Sequence, residues 1–205
     1  MLSGTAPYDG RMTTDAALPS AATASSPWWG LVLRAVPAAV VGIVITFTAN
    51  HSATVGLWSF AAFGITSGVV LAVSSRFMSA ADPLRALHLG LSLIAGIAGA
   101  LALAALLVLG SGLPTLLLLV GGYAVVGGAL ELVWGIRHRG RHAFARDAVV
   151  IGVATMALAV VLALVGDPVS AVGFFGAYAV VLAIFLLIAG FSLKWSTPVK
   201  ESSAS

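Results

Sequence analysis

Six long apolar runs, separated by short polar breaks, dominate the pattern of this chain. An α-helix needs about 20 apolar residues to cross the hydrocarbon core of a bilayer, and each run approaches or exceeds that length. The pattern therefore predicts an all-α membrane protein with six transmembrane helices. We place the spans at residues 29–49, 54–73, 85–109, 113–136, 148–165 and 169–192.

The polar breaks are of two kinds, and they predict how the helices are connected. Three are tight turns rich in Gly, Pro, Asn and Asp: "NHSAT" (50–54), "GSGLP" (110–114) and "GDPVS" (166–170). The other two, residues 74–85 and 137–147, are longer and basic. We expect three helical hairpins, each closed by a tight turn, in one transmembrane domain of residues 28–195. Residues 1–27 are predicted to be a disordered cytoplasmic tail and residues 196–205 a second cytoplasmic tail.

Composition supports the membrane assignment and excludes several kinds of site. Hydrophobic residues make up 60% of the chain and charged residues only 8%, whereas a soluble domain has roughly 25% charged residues. The absence of cysteine excludes thiolate metal sites and cysteine nucleophiles. No signature of a hydrolase, a zinc protease or a nucleotide-binding loop is present. We therefore expect no catalytic residues, no metal and no cofactor.

The cations predict the orientation of the helices. All ten Lys and Arg lie in the N-terminal segment up to Arg34, the two long loops or the C-terminal tail, and none lies in a tight turn. An excess of Lys and Arg marks the cytoplasmic side, so both termini are expected there, in the plasma (inner) membrane. We expect no nucleic-acid partner for this basic chain, because its cations lie where anionic lipid headgroups attract them. The predicted headgroup contacts are Arg137, Arg139, Arg141 and Arg146.

Small residues recur at a spacing of four, which places them on one face of a helix. The pairs are Gly64 with Gly68, Gly96 with Ala100, Ala124 with Gly128 and Gly173 with Ala177. In lipid, helices associate through close backbone approach, and small residues permit that approach. We interpret these residues as helix-packing positions.

The three even-numbered spans share a sequence pattern that suggests an internal repeat. The aligned segments are "AAFGITSGVVLAV" (61–73), "GGYAVVGGALELV" (121–133) and "GAYAVVLAIFLLI" (176–188). Each has small residues, an aromatic residue and a further small residue at matching positions. A unit of about 55 to 60 residues, repeated three times, is typical of duplication of one helical hairpin.

With three tandem hairpins, glycine-rich second helices, tight outer turns and basic inner loops, residues 30 to 195 resemble the HdeD family of bacterial inner-membrane proteins. The resemblance implies a six-span bundle in the plasma membrane. It also implies a link to acid resistance, which some members of that family have. It implies no reaction and no functional residues. The N-terminal tail departs from the shorter members of the family.

Glu131 is the one acidic residue that lies well inside a predicted span. It shares a helical stripe with Ala124 and Gly128, so we expect its side chain to face the bundle interior. Its counterparts in the repeat alignment are Leu71 and Leu186, so the shared scaffold does not require an acid there. His88 lies at a comparable depth on the preceding helix. The predicted partners of Glu131 are Arg85, His88, His138 and Arg34.

Two interpretations of Glu131 stay open at this point. Ionisable groups inside a span are costly and are candidates for function. The carboxylate either pairs with a cation and fixes helix packing, or it responds to protons in a transport role, with His88 as a second ionisable group.

Three function classes follow from the sequence. A noncatalytic integral membrane protein, related to acid stress, is favoured. A small channel or transporter with a proton-responsive Glu131 is the alternative, and a membrane-embedded enzyme is third. The expected partners are the lipid bilayer and, among proteins, a second copy of the chain in a homo-oligomer.

Overall fold

The computed structural model describes residues 28–110 and 112–195, and this part of the chain is helical with no strand. The helices are α1 (Trp28–Phe47), α2 (Ala53–Arg76), α3 (Pro83–Ala104), α4 (Leu113–Arg137), α5 (Ala145–Leu164) and α6 (Pro168–Trp195). A π-helical turn, Ala105–Leu109, extends α3. All six helices are long and apolar enough to cross a membrane, which confirms the predicted fold class. The predicted tails, 1–27 and 196–205, lie outside the described residues.

The helices begin where polar side chains satisfy free backbone donors. Ser52 and Asp82 accept hydrogen bonds from the backbone N–H groups of Val55 and Leu84, at the starts of α2 and α3. Asp167 accepts one from Ser170 N at 2.9 Å, and this hydrogen bond lowers the pKa of Asp167. Within the spans the helical form pairs backbone donors and acceptors internally, as lipid requires.

Two ends of the bundle are distinguished by their connections. At the long-loop end lie the start of α1, the end of α6 and the two longer connections, residues 77–82 and 138–144. At the short-turn end lie the three tight turns. The four arginines of the second long connection, Arg137, Arg139, Arg141 and Arg146, are all exposed at the long-loop end.

The closest helix packing differs from the hairpin scheme that the turns suggest. Each predicted hairpin pair is in contact, but the most extensive contacts join α2 to α3, α4 to α5 and α6 to α1. These pairs lie across the long-loop end, and α6 with α1 closes the ring. In these pairs, glycines such as Gly64, Gly128 and Gly42 face the backbone of the partner helix.

A glycine allows close backbone approach in each of the three extensive pairs. A Cβ atom added at Gly64 would lie 2.7 Å from Ala95 O, and one at Gly128 would lie 3.0 Å from Met156 N. In the α1–α6 pair, a Cβ at Gly42 would lie 3.0 Å from Val180 N. The small residues therefore bring the backbones of neighbouring helices into contact, in agreement with the packing role predicted for Gly64, Gly68, Ala124 and Gly128.

One of the predicted packing glycines, Gly173, needs correction, and Gly96 takes part in the α2–α3 contact through its backbone alone. A Cβ at Gly173 would meet no atom within 4 Å, and it is Gly176 that faces α1, against Ile45. A Cβ at Gly96 would also point into open space, although Gly96 N lies only 3.0 Å from the Cβ position of Gly68. A spacing of four residues identifies a face of a helix, but the rotation of that helix decides whether the face meets a neighbour.

The three even-numbered helices contact one another in the interior of the bundle. Their aromatic side chains form an edge-to-face cluster of Phe60, Phe63, Tyr123 and Phe175, with ring centroids 5.7 to 5.9 Å apart. Tyr178 lies in the same region, and its hydroxyl is 2.8 Å from Thr155 Oγ1 on α5. We call these five rings the aromatic layer. Such edge-to-face packing is favourable beyond the area that it buries.

Candidate buried ion-pair site

Glu131 lies on the interior face of α4, as the helical stripe predicts, and is only 2% exposed. The residues aligned with it on the other even helices, Leu71 and Leu186, are buried as well. All three helices therefore turn this position toward the interior. Only α4 places a charged group there.

Arg34 is the partner of the Glu131 carboxylate. Its Nη2 donates a hydrogen bond to Glu131 Oε1, and the two side chains form a buried ion pair. Arg34 is itself only 7% exposed. A charged hydrogen bond of this kind is strong in a dry environment, but it is formed at the cost of burying both charges.

The position of Arg34 differs from the sequence interpretation, which grouped this residue with the cations of the cytoplasmic boundary. The structure places it in the second turn of α1, inside the span and facing the interior. One signal was available: Arg34 lies on the same helical stripe as the small residues Gly30 and Ala38. A cation on a face of small residues points toward other helices and not toward headgroups.

The ion pair joins two helices that are not neighbours in the bundle. α1 packs on α6 and α2, whereas α4 packs on α5 and α3. The long side chain of Arg34 spans the interior to reach α4. The pair is therefore a connection across the bundle and not a contact within one helix pair.

The other predicted partners of Glu131 do not bond it. His138 Nδ1 is 2.9 Å from Trp134 O, and its ring stacks on the indole of Trp134. Nε of Arg85 is buried and has no hydrogen-bond partner among the described residues. His88 also makes no hydrogen bond with Glu131.

Buried polar atoms without partners surround the pair. His88 is 1% exposed, and no described residue hydrogen-bonds either of its ring nitrogens. Ser74 Oγ and the Nη1 of Arg34 are also buried, and no described residue hydrogen-bonds either atom. Buried polar atoms are nearly always hydrogen-bonded, and water commonly fills the role where protein does not.

These groups come to one depth from four helices. Arg34 and His88 lie in the second turns of α1 and α3, while Ser74 and Glu131 lie in the last two turns of α2 and α4. Ser74 Oγ is 4.0 Å from the Cβ position of Gly30, one turn from Arg34. We call Arg34, Ser74, His88 and Glu131 the polar cluster.

The aromatic layer closes the short-turn side of the polar cluster. Tyr123 precedes Glu131 by eight residues, which is about 12 Å along α4. Phe60, Phe63 and Phe175 are almost fully buried around it. The bundle axis is therefore filled by rings between the polar cluster and the short-turn end.

A second group of side chains covers the long-loop side. The Nε1 of Trp134 donates to Pro83 O at 3.1 Å, and His142 approaches the Trp134 ring edge-on. Nε2 of His142 lies 3.5 Å from Asp82 Oδ1, which joins the two long connections. This cover is polar and partly exposed, so the polar cluster is closer to water at the long-loop end than at the short-turn end.

The chemistry available to this site is proton exchange at a carboxylate. Glu131 gains or loses a proton, whereas the guanidinium of Arg34 keeps its charge. Within residues 28–110 and 112–195, no group of three or more His, Asp or Glu side chains is placed to hold a metal ion.

Comparisons with family models, with curated proteins and with solved structures find no match for this chain. The resemblance to the HdeD family therefore rests on the sequence pattern alone.

Proposed function

We propose that this chain is a noncatalytic protein of the plasma membrane whose helix bundle responds to acid through the Arg34–Glu131 pair. The observation that carries the proposal is that this buried pair connects α1 to α4, which have no extensive contact with each other. Protonation of Glu131 removes the negative charge and leaves the guanidinium of Arg34 buried without its counterion. An unpaired buried charge is strongly unfavourable, so Arg34 then moves toward water at the nearer, long-loop end.

The acid response has a direct test in the distance between α1 and α4. The chain has no cysteine, so two spin labels can be attached at Val36→Cys and Ile136→Cys, which lie on lipid-exposed positions of α1 and α4. In liposomes, the distance between the labels is expected to change on acidification from about pH 7 to about pH 4, a range that spans the titration of ordinary carboxyl groups. Pulsed electron paramagnetic resonance measures this distance.

Glu131→Gln is the matched variant, because glutamine has nearly the same shape as a protonated glutamate. Its label distance at about pH 7 is expected to equal that of the parent at low pH, with no further change on acidification. A parent protein whose label distance is the same at both pH values would contradict the acid response.

The orientation that we propose places the long-loop end in the cytoplasm. It is supported by the Arg residues exposed at that end and by their absence from the three short turns. Reporter fusions after Ser52, Gly112 and Asp167 are expected on the outside, and fusions after Ala80 and Arg141 on the inside. An external reporter at Arg141 would contradict this orientation.

Proton transport is the second candidate function, and the unpartnered atoms of His88 and Ser74 favour it. Such atoms bind water readily, and a chain of water molecules conducts protons. The aromatic layer opposes it, because a transport path must cross that layer. Proton flux into liposomes that contain the parent, and its loss in Glu131→Gln, would support transport. The noncatalytic proposal predicts a helix rearrangement without flux.

A further inference from the structure

A groove opens between α5 and α6 at the long-loop end of the bundle. Nearer the middle of the bundle the two helices are joined by the contact between Thr155 and Tyr178. Two turns closer to the long-loop end, a groove of about 250 Å³ separates them. It is lined by Asp147, Phe185, Ile188, Ala189, Ser192 and Leu193. α5 and α6 have the least extensive contact of any two consecutive helices here.

The groove has one carboxylate among its lining residues. Asp147 lies in the first turn of α5 and is half-buried, and no described residue forms a salt bridge with it. Lys194, the cation near the end of α6, has its Nζ 4.6 Å from the centre of the Trp28 ring, on the side of α1. Arg146 is the neighbour of Asp147 in sequence and is exposed.

The shape and charge of this groove fit one class of membrane component. Its wall of Phe185, Ile188 and Leu193 is apolar, which suits the acyl and glycerol region of a lipid. A carboxylate at the edge of a bilayer binds a cationic group that donates hydrogen bonds. Arg146 is the exposed neighbour of Asp147 in sequence, and a guanidinium is a good phosphate ligand. A lipid that carries an ammonium group next to a phosphate satisfies all three features.

We propose that the α5–α6 groove binds a phospholipid with a primary-amine headgroup, phosphatidylethanolamine, through Asp147 and Arg146. The ammonium donates hydrogen bonds to the Asp147 carboxylate, the phosphate pairs with Arg146, and an acyl chain lies along Phe185 and Ile188. A choline headgroup has the same charge but no N–H donor, and a glycerol headgroup has no positive charge. The groove therefore selects among lipids by headgroup. This inference does not depend on the acid response of Glu131.

The first test uses the unaltered protein and a series of lipids. The headgroup amine is methylated stepwise, from phosphatidylethanolamine through its monomethyl and dimethyl forms to phosphatidylcholine, which removes N–H donors while the charge stays. Native mass spectrometry of the detergent-solubilised protein measures the affinity for each lipid. We expect affinity to fall along the series by about tenfold in total, the equivalent of one charged hydrogen bond. Equal affinity for all four lipids, or tighter binding of phosphatidylglycerol, would overturn the proposal.

The second test removes the carboxylate. Asp147→Asn is expected to reduce the affinity for phosphatidylethanolamine to that for phosphatidylcholine. Asp167→Asn is the matched control, because Asp167 is an exposed carboxylate at the short-turn end, far from the groove, and its replacement is expected to leave lipid affinity unchanged. If Asp147→Asn does not fold, Ile188→Trp tests the site instead. Its larger side chain fills the groove and leaves the Asp147 carboxylate unchanged. Unchanged selectivity in the folded variant would refute the assigned site.

Discussion

Glu131→Leu is expected to destabilise the bundle by about 3–5 kcal/mol, the usual cost of removing one member of a buried ion pair. The variant removes the counterion of Arg34, a charged side chain that is buried on α1 in the parent. A guanidinium cannot lose its proton in a protein, so this cost is not relieved at any ordinary pH. Thermal unfolding in detergent, followed by circular dichroism, measures the change.

Arg34→Leu is expected to be less harmful than Glu131→Leu, because the carboxylic acid that it strands can accept a proton. Its defect should shrink as the pH falls, whereas that of Glu131→Leu should not. The double variant Arg34→Leu/Glu131→Leu removes both charges and is expected to be more stable than Glu131→Leu alone. If the destabilisation in the double variant equals the sum of the two single effects, the residues do not interact and the ion pair has no energetic role.

Gly128→Leu is expected to have the second large effect, at the upper end of the usual cost of overpacking, about 3 kcal/mol. A Cβ at Gly128 would lie 3.0 Å from Met156 N and 3.1 Å from Gly152 O, which are backbone atoms of α5. Backbone atoms cannot rotate away as a side chain does, so α4 and α5 must separate along the face that holds them together. A lower melting temperature in detergent would show this.

Gly173→Leu is the matched control for this prediction. It makes the same substitution in a helix of the same bundle, but a Cβ at Gly173 would meet no atom within 4 Å. We expect its melting temperature to stay close to that of the parent. Gly→Leu raises helix propensity in both variants, so equal losses in Gly128→Leu and Gly173→Leu would mean that the added leucine lowers stability wherever it is placed, and not through the α4–α5 contact.

The sequence located the helices well because their determinants are local. When the π-helical turn is counted with α3, the predicted spans agree with the observed helices to within three residues at every boundary. The length of an apolar run, the Pro and Gly of a turn, and a cap such as Asp82 each act over a few residues. None of them requires knowledge of which helices are neighbours.

Local sequence signals did not identify which residue pairs with Glu131. The periodicity of α4 predicts that Glu131 faces the interior, and it does. Arg34 was one of four predicted partners, and the charge pattern assigned it, like Arg85, to the cytoplasmic boundary. Only the arrangement of α1 beside α6 and α2 shows that its side chain reaches across the interior to α4.

The sequence by itself determined the number of helices, the segregation of cations to one end and the depth of Glu131. These follow from position along the chain, because a helix advances by a constant rise per residue. Tertiary structure alone decided that Arg34 pairs with Glu131, that Gly176 packs where Gly173 does not, and that a groove opens beside Asp147. Each of these depends on the rotation of a helix about its own axis and on which helix lies next to it. Those two quantities are set by packing among all six helices together, and no local stretch of sequence contains them.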